Sequence, residues 1–147
     1  HAFFNNFGGF SGGIYKSLNC RIGSKDKKKY INTNLNKVCK KVGCSKNNLV
    51  LLNQIHSNKV FSIKKIPKKK LLGDSVITNK KKIALGVLTA DCAPVFIYDP
   101  DNNIISAIHA GWKGAYKKII TKTINNFKNK GSKIAPLKSA FALAKPC

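Results

Sequence analysis

Residues 88–114 read LTADCAPVFIYDPDNNIISAIHAGWKG, and the fold turns on how this stretch is read. Residues 95–98 and 104–108 are apolar runs of strand length, and DPDNN at 99–103 has the Pro, Asp and Asn content of a hairpin turn. Cys92 stands before the first run and His109 at the end of the return run. The hairpin therefore brings a thiol and an imidazole together if both strand ends face the same way. Upstream, residues 83–89 form a continuous apolar run that predicts a buried strand. Downstream, a helix is expected over 115–128, with Ile119, Ile120, Thr123, Ile124 and Phe127 on its apolar face. Between strand and helix lie Gly111, Trp112, Lys113 and Gly114. Free helix N–H groups and the Lys113 ammonium make this a plausible phosphate pocket, although the G-x-x-x-x-G-K-[ST] spacing of a P-loop is absent.

Further upstream, His56 lies in LLNQIHSNKV between two expected strands, 49–52 and 60–63. His56, Cys92 and His109 together are the donor set of an open, catalytic-type zinc site. Spacing alone leaves three readings for them: a metal site, a Cys–His nucleophile pair with Asp91 nearby, or buried structural residues. The chain contains no Glu, so any carboxylate acid or base must be one of five aspartates. Asp91, beside Cys92, is the favoured proton carrier and Asp74, in GDSVIT, the alternative. Each has an ordinary structural role as competitor: an N-cap or hydrogen bond to a ligand for Asp91, an Asx turn for Asp74.

Elsewhere the pattern is simpler. Phe3 and Phe4 suit a first strand, and the glycine pairs at 8–9 and 12–13 punctuate either a ligand-facing loop or a hairpin connection. Residues 26–42 carry Ile31, Leu35, Val38 and Val42 at helical steps, and Gly43 closes the helix. Residues 134–147 begin another apolar segment with nothing after it to close a sheet.

At 147 residues, 43% of them hydrophobic, one domain spanning 1–147 is expected. No apolar run approaches the ~18 residues of a membrane helix, and the N-terminus does not read as a signal peptide. The first residue is not Met, which suggests a chain that starts inside a gene product or has been trimmed. The net charge of +23 comes from 28 basic residues, all Lys except Arg21. Nucleic-acid readers lean on Arg, and the lysines fall in solvated runs. We read the charge as a composition bias towards Lys, Asn and Ile rather than as a nucleic-acid interface. Five cysteines, odd in number and without a CxxC pair, fit a reducing, cytoplasmic setting, with Cys39 and Cys44 as structural thiols.

The segments QIHSNKV, GDSVIT, LGVLTADCAPVFIYDP and AIHAGWKGAYKKII, in this order and spacing, resemble the laccase-domain family. That family has been called multicopper polyphenol oxidase and is now described as purine nucleoside phosphorylase with adenosine deaminase activity. FGGFSGGIYKSLN is similar to its glycine-rich N-terminal signature, and the likeness covers roughly residues 3–130. The resemblance implies an α+β fold of layered mixed sheets with flanking helices. It implies His56, Cys92 and His109 as metal ligands, for zinc or alternatively copper. It also implies a purine nucleoside (adenosine, inosine or methylthioadenosine) and phosphate as substrates, with hydrolytic deamination of adenosine as a further activity. Asn6 (or Asn5) stands where the family pattern usually has Arg. Residues 142–147 (ALAKPC) resemble the family's Leu-Gly-Pro-Cys segment, and the part that normally follows is absent. The expectation is a domain incomplete at its C-terminus, a fragment or frame-disrupted copy. The competing functions are a copper-dependent phenol oxidase, for which three histidines are too few to build a multicopper centre, a cationic polyanion-binding protein, and an inactive fragment.

Overall fold

The computed structural model describes residues 1–142. The last five residues of the ALAKPC segment compared above lie outside them. The chain divides into two compact units, His1–Leu49 and Val50–Cys147.

In the first unit, α1 spans Lys28–Val42 and buries Ile31, Asn34, Leu35 and Cys39. Gly43 ends it at φ 72°, in the left-handed conformation that a Cβ disfavours, and the Gly43 and Cys44 amides bond back to the last turn. Asp26 does not enter the helix, because its carboxylate accepts from Ser11 Oγ (2.6 Å) and Asn19 Nδ2 (2.9 Å) instead. Burial pushes the thiols of Cys20 and Cys39 up to about 11, as expected of inert structural cysteines. Phe3 and Phe4 form no strand. Both are about two-fifths exposed, and the first pairing in the chain is the Ser11–Ser17 bridge of a short glycine-rich hairpin. Asn34, fully buried, organises that hairpin. Its side chain accepts from the Phe10 amide and donates to Ser11 Oγ and to the Asn19 carbonyl.

The second unit is built on a five-stranded mixed sheet ordered β2-β3-β6-β5-β7. These strands are β2 (Val60–Ser62), β3 (Ser75–Thr78), β5 (Ala93–Asp99), β6 (Ile104–Ala110) and β7 (Lys138–Phe141). β2 runs parallel to β3, and the other neighbours are antiparallel. The turn at 99–103 forms as expected. The buried Asp99 carboxylate accepts from the Asp101 and Asn102 amides, and Asn103 takes a positive φ. One face of the sheet packs Ile77, Val95, Ile97, Ile104 and Ile108 against Ile119 and Phe127 of α3 (Ile119–Lys128). The other face packs Val76 and Ala107 with Val50, Leu52 and Ile63. A separate two-stranded sheet pairs β1 (Leu49–Leu51) with β4 (Ala84–Gly86).

Two expectations are corrected and a third is filled in. The run 83–89 yields only the three residues of β4, all half-buried, because among the described residues β4 pairs with β1 and has no second neighbour. The single helix expected over 115–128 is two helices. α2 (Trp112–Tyr116) starts at the Gly111 cap, and Lys118 at φ 60° breaks the path before α3. The apolar segment expected after 134 forms β7, which adds to β5 as an edge strand.

Candidate metal centre

Register is what assembles the site. β6 lies between β3 and β5, with Ser75 opposite Ile108 on one side and Pro94 opposite His109 on the other. Continuing these ladders by one residue sets Asp74 opposite His109, and the His109 amide donates to the Asp74 carbonyl at 2.7 Å. Beyond the Ala93–Ala110 pair the same ladder sets Cys92 opposite Gly111. Because side chains alternate along a strand, Asp74, His109, Cys92 and Gly111 all lie on one face of the sheet.

His56 arrives from the loop after β1. The ligand atoms of His56, Cys92 and His109 all lie within 4.8 Å of one another, and among the described residues this is the one group of three or more His, Cys, Asp or Glu placed to hold a metal ion. Cys92 Sγ is 4.0 Å from His56 Nε2, and the two imidazoles meet edge to face with centroids 4.9 Å apart. His109 is buried, Cys92 half-buried and His56 exposed, so the group opens to solvent on the His56 side.

Asp74 holds this geometry. Its side chain is fully buried and accepts five hydrogen bonds. They come from the Ile55 (3.3 Å), His56 (3.0 Å) and Ser57 (2.6 Å) amides, from Ser57 Oγ (2.7 Å) and from His109 Nδ1 (2.8 Å). Burial raises the carboxyl, but the hydrogen bonds from His109 and Ser57 outweigh it and hold the group below its ordinary value. An ionised Asp74 makes His109 Nδ1 the donor and leaves the lone pair on Nε2, as metal-ligating histidines require. The three successive amides of 55–57 curl around the same carboxylate and hold His56 at φ 55°. Such a conformation costs a non-glycine residue ~1–3 kcal/mol unless its surroundings impose it.

Gly111 explains why the ligands can close on one point. A Cβ there would stand 2.9 Å from His56 Cδ2 and 3.0 Å from Cys92 Sγ. Gly114 serves the same loop differently, since a Cβ would meet the Ser57 carbonyl at 2.9 Å. Asn58 completes the packing by donating from Nδ2 to the Lys117 carbonyl at 2.7 Å. Both glycines are thus buried spacers. Trp112 and Lys113 are exposed, with the Lys113 ammonium 5.4 Å from the Trp112 ring centre.

The donor set fits a zinc-type metal: one thiol, two imidazoles with Nε2 available, and an open side. The Cys92 thiol is raised by burial and then by the negative charges of Asp91 and Asp74. That is the opposite of what an unassisted cysteine nucleophile needs, whereas a cation between the ligands would favour the thiolate. Asp91 is exposed next to Cys92. What the sequence reading missed is the weight of Asp74. The available signal was an acid leading directly into an apolar strand, a place where an unpaired carboxylate is costly.

Comparison with known proteins identifies the family and the fold. A family model described as multi-copper polyphenol oxidoreductase laccase matches residues 1–142. A purine nucleoside phosphorylase of Corynebacterium glutamicum is 36% identical over 129 residues, covering 86% of this chain and 52% of that protein. A purine nucleoside phosphorylase of Deinococcus radiodurans is 32% identical over 133 residues, covering 90% and 51%. The chain thus spans about half the length of these curated relatives. Among solved structures, the fold matches YlmD from Geobacillus stearothermophilus with a TM-score of 0.89 at 20% identity, over 95% of this chain and 55% of that one. The hypothetical protein YfiH of Bacillus licheniformis matches with a TM-score of 0.88 at 24% identity, over 95% and 56%. No helix of the described residues is long and apolar enough to cross a membrane. With a family match reaching across both units, the chain belongs to the multi-copper polyphenol oxidoreductase laccase family.

Proposed function

We propose that this chain carries the metal-binding part of a purine nucleoside phosphorylase, with zinc as the metal, and that it also deaminates adenosine. The observation that carries the reading is the convergence of His56, Cys92 and His109 on one point, backed by a buried carboxylate. The names of the relatives supply the reaction class. In phosphorolysis a phosphate oxygen bonds to C1′ of the ribose as the C1′–N9 bond breaks, and the purine leaves with a proton. Zinc held by the three ligands would supply Lewis acidity beside the reacting oxygen.

The chain's own residues have separable tasks. Asp74 orients the His109 imidazole through Nδ1 and fixes the backbone at His56 through its amide, which would help present both rings to a metal. Asp74 accepts five hydrogen bonds and is kept ionised, so it is spoken for. Asp91, exposed and next to Cys92, is the carboxylate left to carry a proton. Trp112 and Tyr116 stand one helical turn apart and about three-quarters or more exposed, immediately after Gly111, and offer a stacking surface for a purine. Lys113 between them offers a cation for phosphate.

The test uses the whole chain loaded with zinc, beside Cys92→Ala. Inosine plus phosphate should release hypoxanthine, and adenosine without phosphate should give inosine. Both activities should be lost with the metal in the variant. A protein that binds zinc stoichiometrically and releases no base from any purine nucleoside overturns the reading. The description of the family model names a multi-copper polyphenol oxidoreductase, so a copper-loaded sample with a phenolic substrate is the second arm.

A further inference from the structure

We propose that Gln54 is a positioning residue for the thiol ligand, latching the Cys92 segment to the loop that carries His56. The inference rests on the metal site proposed above. Gln54 precedes His56 by two residues. Its carboxamide takes both backbone groups of Leu88: Nε2 donates to the Leu88 carbonyl at 2.7 Å, and the Leu88 amide donates to Oε1 at 2.8 Å. Leu88 lies in the irregular stretch between β4 and β5, four residues before Cys92. Among the described residues, the only other hydrogen-bond contact made by 88–92 is the 4.0 Å approach of Cys92 Sγ to His56 Nε2.

The chemistry is specific to a carboxamide. A peptide presents a donor and an acceptor, and the carboxamide of Asn or Gln presents the complementary pair side by side in one planar, uncharged group that does not titrate. Asn at this position is one methylene shorter. β1 and β4 pair with each other and end at Leu51 and Gly86, and the Gln54 side chain adds one more link between the chain that follows β1 and the chain that follows β4. This link completes a network. Asp74 ties the 55–57 loop to His109, and Gln54 ties that same stretch of chain to the segment delivering Cys92. Without it, β5 still fixes Cys92 from one side, but nothing fixes the approach from Leu88. The thiol would then sample positions away from the two imidazoles.

The experiment compares the full chain with Gln54→Ala and Gln54→Glu, titrated with cobalt(II) alone. Two spectroscopic signals are followed: the thiolate-to-cobalt charge-transfer band and the ligand-field bands. Amide hydrogen exchange at Leu88 is measured in parallel on metal-free protein. Gln54→Ala should bind cobalt ~10- to 100-fold more weakly, the range for partners that orient ligands, and lose the thiolate band ahead of the ligand-field bands. Its Leu88 amide should lose protection. Gln54→Glu, which can accept from the Leu88 amide but not donate to its carbonyl, should keep that protection and still bind cobalt weakly. Equal affinity and equal thiolate band in wild type and Gln54→Ala, with Leu88 protection lost, overturn the latch while leaving the metal site intact. Wild-type protein that takes up no cobalt overturns the metal site itself, and the positioning role with it. The Leu88 exchange then still reports whether the pairing exists.

Discussion

Asp74→Asn is the perturbation that most directly probes the site, because it preserves shape and removes only charge and one acceptor. In the wild type, Oδ1 receives the His56 amide and His109 Nδ1, while Oδ2 receives the Ile55 and Ser57 amides and the Ser57 hydroxyl. An Asn can present its oxygen to only one of these groups. With the oxygen towards His109, the NH2 faces two backbone donors and a hydroxyl, and the 55–57 turn loses the anion around which it is wound. With the oxygen towards the turn, the NH2 faces Nδ1, and His109 must move its proton to Nε2, which removes its lone pair from the site. Hydrogen bonds to a charged acceptor contribute ~1.5–3 kcal/mol each. They are not additive here, but either orientation leaves at least two buried donors facing the NH2, and a buried donor without a partner costs ~1–3 kcal/mol. We therefore expect Asp74→Asn to lower unfolding stability by about 2–6 kcal/mol, a large fraction of the ~5–15 kcal/mol typical of a folded domain. Metal affinity should fall ~10- to 100-fold. Urea unfolding of the metal-free chain measures the first quantity, and a chelator-competition titration the second. A destabilisation under about 1 kcal/mol with unchanged metal affinity would refute the central role given to this carboxylate.

Gly111→Ala should overpack the ligands at a cost of ~1–3 kcal/mol and weaken metal binding at least ~10-fold. Backbone strain is not the cause, since Gly111 has φ −73°, where alanine is at ease; unchanged cobalt affinity would show that the ligands do not need the space. In the first unit, the hydrogen bond from Ser11, helped by those from Asn19 and the Lys27 amide, holds the Asp26 carboxyl below its ordinary value. A carboxyl lowered on folding contributes stability that is complete above its unfolded value of ~3.9 and is lost as pH falls through the folded one. Asp26→Asn should therefore flatten the acid limb of stability against pH, read from urea midpoints; an unaltered limb would mean that these bonds form equally well to the protonated acid.

Much of this architecture was legible locally. The DPDNN turn between two apolar runs marked the β5–β6 hairpin, while the register that puts Cys92, His109 and Gly111 on one face came from the structure. Helical spacing and Gly43 set α1 and its end. The pattern misled where a local signal had no tertiary partner to support it, as at Phe3 and Phe4 or along 87–89. It also misled where tertiary packing overrode a helical pattern. Lys118 breaks what reads as one helix, in the stretch whose Lys117 carbonyl accepts from Asn58 in the His56 loop.

Taken alone, the sequence determined α1, the hairpin and the residue types able to bind a metal, because turn chemistry and hydrophobic period act over a few residues. The tertiary structure decided which of those residues meet. His56 and Asp74 are 53 and 35 positions before His109. They reach it because β3 inserts beside β6, with Ser75 opposite Ile108. That pairing is chosen by burial of both sheet faces at once, a property of the whole assembled chain that no short window contains.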